Sequence, residues 1–438
     1  MGKLCGGLRS RQAFAYVGHV NVSPILALAG LITIGLLVPR LTSVRWPRGG
    51  TLEVLVAAGG PLVALGLVLG PGIDFLDRPA LRALAPATGL AIGWIGASLG
   101  ARFEWRYVRR IPRSAWLLAA LSSLAALIVV TVAAWLAIRL VPALALAWTP
   151  RLPAILALGA VAAASGPGVV GLLLHARGIA PRAARPIIRA ALLETVCAVL
   201  VMTVPLGLER RGTALSLVVW VTLAIGTGVL GGTVFLWLAR LRPTLAGAEL
   251  TLVVLMTLIF GAGLGAAAGV TPFVACFLAG VVIVNESSRR HAVRAVLARG
   301  ERPTSAVLLV AAGALLALPT MWMLVAALLL FGSRAVAKWL GVRYGGPPLG
   351  LAHLSRNWGL GTIAQGSAVV ALGVSYALLY GREGAPLLTT IVLLVAAAQL
   401  AAPPLLALPL RAESPAPALT ETAAPPELSA NVPVEMPR

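Results

Sequence analysis

Acidic residues are scarce in this sequence: its 438 residues include 14 Asp and Glu against 35 Lys and Arg. Charged residues of both signs make up 11% of the chain, whereas soluble domains carry about a quarter. A chain with so few charges cannot cover a water-facing surface. The composition therefore excludes an ordinary soluble domain.

Cysteine and histidine are also rare. Cys5, Cys197 and Cys276 are too few and too scattered for a disulfide framework or a metal cluster. The four histidines, at positions 19, 175, 291 and 353, show no ligand spacing. The sequence also contains no recognisable nucleotide-binding loop and no Ser/His/Asp set. We therefore expect no metal, no cofactor and no enzymatic activity.

Long apolar runs dominate what is present. Hydrophobic residues form 59% of the chain, and its mean hydropathy is +0.95. Runs of roughly 17–25 apolar residues, the length that a helix needs to cross a bilayer, recur along nearly the whole sequence. They predict an all-α polytopic membrane protein with about thirteen transmembrane helices, or twelve, since the ninth and tenth are short. The predicted spans are Ser23–Val38, Val54–Leu69, Leu84–Ala101, Ala115–Leu136, Leu152–Leu174, Ile187–Leu208, Ala214–Leu238, Leu250–Ala268, Thr271–Val284, Ala306–Leu318, Met321–Leu340, Leu354–Leu379 and Leu387–Leu408.

The basic residues lie mostly in short loops, which favours a role in membrane orientation over nucleic-acid binding. The loops after the first, third, fifth and ninth spans hold most of them and are predicted to be cytoplasmic. This places the N-terminus outside and the C-terminus inside a cell inner (plasma) membrane. We expect an extracytoplasmic segment at residues 1–22, a transmembrane domain at 23–410 and a disordered cytoplasmic tail at 411–438.

One carboxylate, Glu194, lies well inside a predicted span, the sixth. A charge at the centre of a membrane helix costs at least about 2.5–3.5 kcal/mol, so it is a functional candidate by default. Glu194 is either half of a structural ion pair or a carboxylate that alternately binds a proton and a cation. The candidate bases are Arg334 and Lys338, late in the eleventh span, and Arg356, early in the twelfth. The first two are also placed to extend to the membrane interface.

Two spans contain helix-breaking sequence. In the fifth, Gly166, Pro167 and Gly168 favour unwinding in mid-membrane. Broken helices at that depth form substrate sites in transporters, and the two spans lie seven apart, as an inverted repeat would place them. For the twelfth span, close helix packing through small residues is an equal alternative. Its segment SRNWGLGTIAQGS contains Asn357, Gly359, Gly361, Gln365, Gly366 and Ser367.

These motifs together resemble the monovalent cation:proton antiporter superfamily, the membrane domain of sodium/hydrogen exchangers and Kef-type proteins. The second span ends in GLVLGPG, similar to the family's GxxLGP signature, and the third reads GLAIGWIGASLGARFEWRYVRR, similar to its FlaGLe segment. Spans eight and nine resemble its GlspalGAFlaGlllans block. SGPGVVGLLLHARG and SRNWGLGTIAQG fall where the family has its two crossover helices. The resemblance covers roughly Val54 to Leu408 and implies inverted repeats with two crossed discontinuous helices.

The resemblance also implies where the ion binds, and there the sequence departs from the family. The family's carboxylate dipeptide falls at Glu194 and Thr195, so threonine replaces the expected ion-binding aspartate. The acid that some relatives carry in the first crossover is Gly166 here. The resemblance implies that Glu194 is the exchangeable carboxylate and that Thr195, Ser165 and the backbone near Gly166 assist it.

Charge balance at the broken helices is the remaining implied role. The resemblance gives it to Arg356, which would neutralise helix ends or hold the core together. The family's basic residue before the second crossover corresponds to Arg334 or Lys338, and spacing does not choose between them.

The leading hypothesis is a secondary transporter that exchanges a monovalent cation, Na⁺ or K⁺, for protons by alternating access. It would act in the lipid bilayer as a homodimer, without a nucleic-acid partner. The missing aspartate motivates one alternative, a divergent non-exchanging sensor or scaffold protein. The scarcity of carboxylates motivates another, a transporter of an anion or a small organic solute.

Overall fold

The computed structural model describes residues 54–72 except 57, 75–149 except 77, 151–179, 181–208, 214–242, 246–349 and 356–413, together with Gly30 and Thr33. Within these ranges the chain is helical and contains no strand. Short 3₁₀ helices lie at Pro347–Leu349 and Trp358–Thr362, and a π turn lies at Val68–Gly72. The α-helices are α1 Gly60–Leu67, α2 Arg78–Ala83, α3 Ala85–Gly100, α4 Trp105–Val108, α5 Arg113–Leu140, α6 Pro142–Ala147, α7 Arg151–Ala163, α8 Pro167–Ala176, α9 Pro181–Leu208, α10 Ala214–Leu241, α11 Gly247–Ala268, α12 Pro272–Glu286, α13 Arg290–Ala314, α14 Met321–Gly345, α15 Ser367–Tyr380 and α16 Ala385–Glu413.

Apolar helices coincide with most of the predicted spans in the described part of the chain. Seven are long and apolar enough to cross a membrane, with α7 and α8 taken as one, and three shorter apolar helices join them. The predicted all-α fold is confirmed, whereas the count of thirteen stays a prediction. The first predicted span, Ser23–Val38, lies outside the described residues apart from Gly30 and Thr33, as do the segment 1–22 and residues 414–438 of the tail.

The helices sort into two bundles by their contacts. A core bundle, in which α5, α7, α8, α9, α14, α15 and α16 pack together, contains both interrupted spans. A scaffold bundle consists of α1, α3 and α10 to α13. The pairs α13–α15, α3–α15 and α9–α10 join the two bundles.

Small residues bring α1 against α13 inside the scaffold bundle. A Cβ atom added to Gly66 would clash with the carbonyl oxygen of Val310, and one added to Gly313 would clash with that of Val63. Glycine at both positions therefore allows the two backbones to touch. The GLVLGPG segment, which carried part of the family resemblance, has a packing role here.

The second predicted span is not one continuous helix. A turn at Ala58 and Gly59 separates the helical residues 54–56 from α1. Gly59 has a φ of 91°, a left-handed conformation that favours glycine, so a turn interrupts the helix at this point. Hydropathy is continuous across the turn, and for that reason the apolar run did not predict it.

The tenth predicted span begins sixteen residues too late. α13 starts at Arg290 rather than Ala306, because the basic segment predicted as a loop is itself helical. Val293, Val296 and Leu297 are buried on one face of this extension, the spacing of an amphipathic helix. A search for purely apolar spans misses a helix of this kind.

Candidate ion-binding site

The buried carboxylate of Glu194, on α9, is paired with a lysine. Lys338 Nζ, on α14, lies 2.6 Å from Glu194 Oε2, and the two side chains are 0% and 1% exposed. Among the described residues this is the one ion pair with both partners buried. The sequence left three candidate bases open, and the structure selects Lys338.

Two hydroxyl groups complete the surroundings of the pair. Lys338 Nζ donates to Ser165 Oγ at 2.9 Å and to Thr362 Oγ1 at 3.3 Å. The Ser165 hydroxyl donates to Glu194 Oε2, and the Thr362 hydroxyl donates to Glu194 Oε1 at 3.0 Å. All four residues are buried. These additional hydrogen bonds are what a buried ion pair needs to persist away from water.

The two hydroxyls come from the breaks of two interrupted helices. α7 ends at Ala163 and α8 begins at Pro167, which leaves Ser165 in a non-helical segment. On the other side, the 3₁₀ helix ends at Thr362 and α15 begins at Ser367. Both predicted interruptions are therefore present, and the alternative of an unbroken, closely packed twelfth span is wrong.

The two breaks meet through their backbones. Gly166 N donates a hydrogen bond to the carbonyl oxygen of Ala364 at 2.7 Å. A Cβ atom on Gly166 would lie 2.6 Å from Gly366 N, so a side chain there would push the breaks apart. The carboxylate that some relatives carry at this position has no room in this crossing.

Arg334 binds the helix ends at the crossing. It donates from Nε to Ala162 O at 2.8 Å, from Nη1 to Ile363 O at 2.6 Å and from Nη2 to Ala164 O at 2.8 Å. Carbonyl groups at the end of a helix lack intrahelical donors and carry partial negative charge. The buried guanidinium supplies both the missing hydrogen bonds and a compensating charge.

Thr195 faces the backbone of the first break rather than the carboxylate beside it. Its hydroxyl lies within hydrogen-bond reach of the carbonyl oxygens of Ser165 and Ala191, the second at 2.7 Å. Gln365 has a comparable position in the second break, where its Nε2 donates to Val161 O at 2.8 Å. Both side chains are fully buried and attach the breaks to their neighbours.

The predicted crossover glycines lie in different surroundings. Gly359 lies against the backbone of α14, where a Cβ atom would clash with the carbonyl oxygen of Lys338. Gly361 is buried near Ile187. Gly168 is exposed on α8, and a Cβ atom there would meet nothing within 4 Å. Close approach therefore requires glycine at 359 but not at 168.

Two residues depart from the prediction. Arg356 is exposed, and Arg334 makes the contacts with the helix ends that were expected of Arg356. Conversely, the sequence reasoning missed Thr362, which contacts both members of the ion pair. The available signal was a hydroxyl residue inside a glycine-rich helix break.

A cavity of about 380 Å³ lies between the two bundles and reaches the crossing. α1 and the end of α13 line it on the scaffold side, and α15 and α16 line it on the core side. Its walls are mainly aliphatic, with Gly366, Ser367 and Gln399 at the crossing. Gln399 Nε2 donates to Gln365 O at 3.4 Å, so the cavity wall is bonded to the backbone of the second break.

An all-helical membrane chain in which two interrupted helices cross beside a buried ion pair has the architecture of a secondary transporter. The family model described as "Sodium/hydrogen exchanger, transmembrane" matches residues 98–410, which is more than half of the chain. The chain belongs to this family of monovalent cation:proton exchangers, as the motifs predicted.

Solved structures agree in fold. A structure of the sodium proton antiporter MjNhaP1 from Methanocaldococcus jannaschii at pH 8 is similar with a TM-score of 0.62 and 16% identity, over 89% of this chain and 98% of that one. An electron-microscopy map of the same antiporter gives 0.60 and 16%, over 90% and 99%. The comparison with curated proteins gave no match.

Proposed function

We propose that the chain exchanges Na⁺ or K⁺ for protons by alternating access, and that Glu194 is the carboxylate that changes partner during exchange. The Glu194–Lys338 pair at the crossing of the two interrupted helices carries this proposal. Family membership favours exchange over a non-exchanging scaffold or a transporter of anions.

Exchange at this site is a competition between two positive charges. A buried carboxylate needs a positive partner, because an unpaired buried charge is strongly unfavourable. When the transported cation binds Glu194, Lys338 releases its proton and stays neutral. When the cation leaves, Lys338 takes up a proton and restores the pair. One proton then moves for each cation, and the buried charge is the same in both states.

The first break supplies further ligands in this proposal. The Ser165 hydroxyl already contacts both charges, and the carbonyl oxygens near Gly166 lie beside it. Thr195 orients the Ser165 carbonyl through its hydroxyl. Glutamate at 194 takes over the role of the family's aspartate at the next position, because its carboxylate lies at the crossing while the Thr195 hydroxyl bonds the backbone of the first break.

Alternating access follows from relative movement of the bundles. The crossing is held as one unit by the Gly166–Ala364 hydrogen bond and by Arg334, so the core bundle moves without separating the breaks. The cavity beside Gly366 is the route from one membrane face. A rocking movement that closes it and opens the opposite side would carry the loaded site across.

The setting in the cell is part of the proposal. The transmembrane domain at 23–410 would lie in the inner (plasma) membrane with the N-terminal segment 1–22 outside and the tail 411–438 in the cytoplasm. A homodimer would form through the scaffold bundle, where α10 and α11 expose large apolar side chains, namely Val218, Val219, Trp237, Leu252, Met256 and Ile259. Arg356 is exposed, so it would balance charge at the bundle surface.

A proteoliposome assay tests the function. An imposed pH gradient is followed by fluorescence dequenching while Na⁺, K⁺ and Li⁺ are added separately. We expect at least one ion to drive proton movement in the wild type and in Glu249→Gln, a control at an exposed carboxylate. Glu194→Gln should abolish the response. Undiminished exchange by Glu194→Gln would refute the proposed role of that carboxylate.

A further inference from the structure

The two carboxylate oxygens of Glu194 have different surroundings. Oε2 accepts hydrogen bonds from Lys338 and Ser165. Among the described residues, the hydrogen-bond donor to Oε1 is the Thr362 hydroxyl. Oε1 is therefore the oxygen that becomes available when a single hydroxyl group turns away.

Thr362 has a second acceptor for its hydroxyl hydrogen. The carbonyl oxygen of Gly359, on the preceding turn of the 3₁₀ helix, lies 3.4 Å from Thr362 Oγ1. Rotation about the C–O bond redirects the hydrogen from Glu194 to Gly359 without moving the backbone. Since a hydroxyl oxygen carries two lone pairs, it then faces Oε1 as an acceptor.

A positive charge already lies against this hydroxyl oxygen. Lys338 Nζ is 3.3 Å from Thr362 Oγ1, and the same ammonium group contacts Glu194 and Ser165. Oxygens from both breaks thus surround the positive charge, and Thr362 contributes the second break's side-chain oxygen.

We infer that Thr362 is a direct ligand of the transported cation and a determinant of ion selectivity, acting through its side-chain oxygen. This inference rests on the proposed exchange at Glu194. In the cation-loaded state the hydroxyl hydrogen points to Gly359, and Oγ1 and Glu194 Oε1 bind the dehydrated cation together. In the proton-loaded state the hydrogen points back to Oε1.

The opposing structural role makes different predictions. If Thr362 only satisfied a buried carboxylate, removing its hydroxyl would lower protein stability and turnover equally for every ion. A ligand contributes to binding in proportion to how well its oxygen suits each ion. Its removal must therefore change the apparent KM and the order of preference among Na⁺, K⁺ and Li⁺.

The test compares wild type, Thr362→Val, Thr362→Ser and Glu194→Gln in proteoliposomes. Valine keeps the shape of threonine without the oxygen, and serine keeps the oxygen. We expect Thr362→Val to raise the KM of the preferred cation about tenfold and to change the ion ranking, since one polar interaction contributes about this factor. Thr362→Ser should stay within about twofold of wild type. Thr362→Ala, which adds no apolar bulk, replaces the valine variant if that protein does not purify folded.

The outcomes separate the inference from the function on which it rests. An unchanged KM and ion ranking in Thr362→Val or Thr362→Ala, with exchange still abolished in Glu194→Gln, would overturn the role of Thr362 alone. A lower kcat at constant KM for all three ions would also overturn it, because it indicates a structural role. Exchange that survives Glu194→Gln would refute the role of Glu194 on which this inference rests, and absence of exchange in wild type would refute the proposed function itself.

Discussion

Among the described residues, ion pairs occur in two regions, and water reaches them to different extents. At the crossing, Lys338 and Glu194 are 0% and 1% exposed. Beyond the end of α3, Arg294 and Glu104 pair at 2.8 Å with side chains that are 32% and 13% exposed. Solvent can replace a lost partner in the second region but not in the first. Ion pairs with similar distances therefore differ in how much their loss costs in free energy: the cost is large at the crossing and small in the second region.

The more exposed cluster joins parts of the scaffold bundle. Arg294 Nε also donates to the carbonyl oxygen of Ala101 at 2.9 Å, and Asn285 Nδ2 donates to that of Phe103 at 2.9 Å. These bonds attach the segment after α3 to α12 and α13, neither of which is interrupted. Burial at a helix break, rather than the presence of an ion pair, distinguishes the proposed exchange site from a structural link.

Removing Lys338 alone is expected to lower protein stability more than any of the other changes described below. Lys338→Met leaves Glu194 buried without a positive partner, and breaking a buried pair in this way costs about 3–5 kcal/mol. We expect a strongly lowered thermal midpoint of the purified protein in detergent, together with loss of exchange.

A double variant provides the matched control. Glu194→Gln combined with Lys338→Met removes both charges, so most of the stability should return while exchange stays absent. If the single variant were as stable as wild type, the contrast between the two regions would be lost.

Replacing Arg334 by lysine should have an intermediate effect. Lysine keeps the positive charge, but its ammonium group cannot reach the three carbonyl oxygens that the guanidinium fork binds. Because buried carbonyls then lack donors, we expect a loss of about 2 kcal/mol in the free energy of unfolding. Thermal denaturation in detergent measures it, and wild-type stability would show that Arg334 does not fix the helix ends.

The smallest effect is expected in the more exposed region. Glu104→Gln breaks the pairs with Arg290 and Arg294, and solvent-screened pairs contribute about 1 kcal/mol or less. Exchange should be unchanged, and the stability difference should shrink at high salt. Loss of exchange in this variant would indicate that the cluster takes part in transport.

The sequence was sufficient to predict the fold and the first break, because a Gly-Pro step in an apolar run has a direct structural meaning, whereas the second break stayed one of two equal alternatives. Gly166 and Pro167 indicated the first break, and an isolated mid-span carboxylate indicated Glu194. Hydropathy could not predict the turn at Gly59 or the amphipathic start of α13 at Arg290. Those features depend on packing rather than on apolar length.

The partner of Glu194 and the contacts of Thr362 could be identified only from coordinates. Arg334 and Lys338 lie one helical turn apart on α14, so they share a face and spacing cannot assign their partners. Thr362 lies 168 residues from Glu194 in sequence, and only the crossing of the breaks brings them together. Long-range contacts of this kind leave no periodic pattern in one sequence.

Proton release on cation binding tests the central claim most directly. The preferred cation is titrated into purified protein in weakly buffered detergent solution, and the released protons are measured alongside the bound cation. The competition between the cation and Lys338 predicts about one proton released per cation bound by wild type, and none from Glu194→Gln. Cation binding to wild type without proton release, or equal release from Glu194→Gln, would contradict exchange at this ion pair.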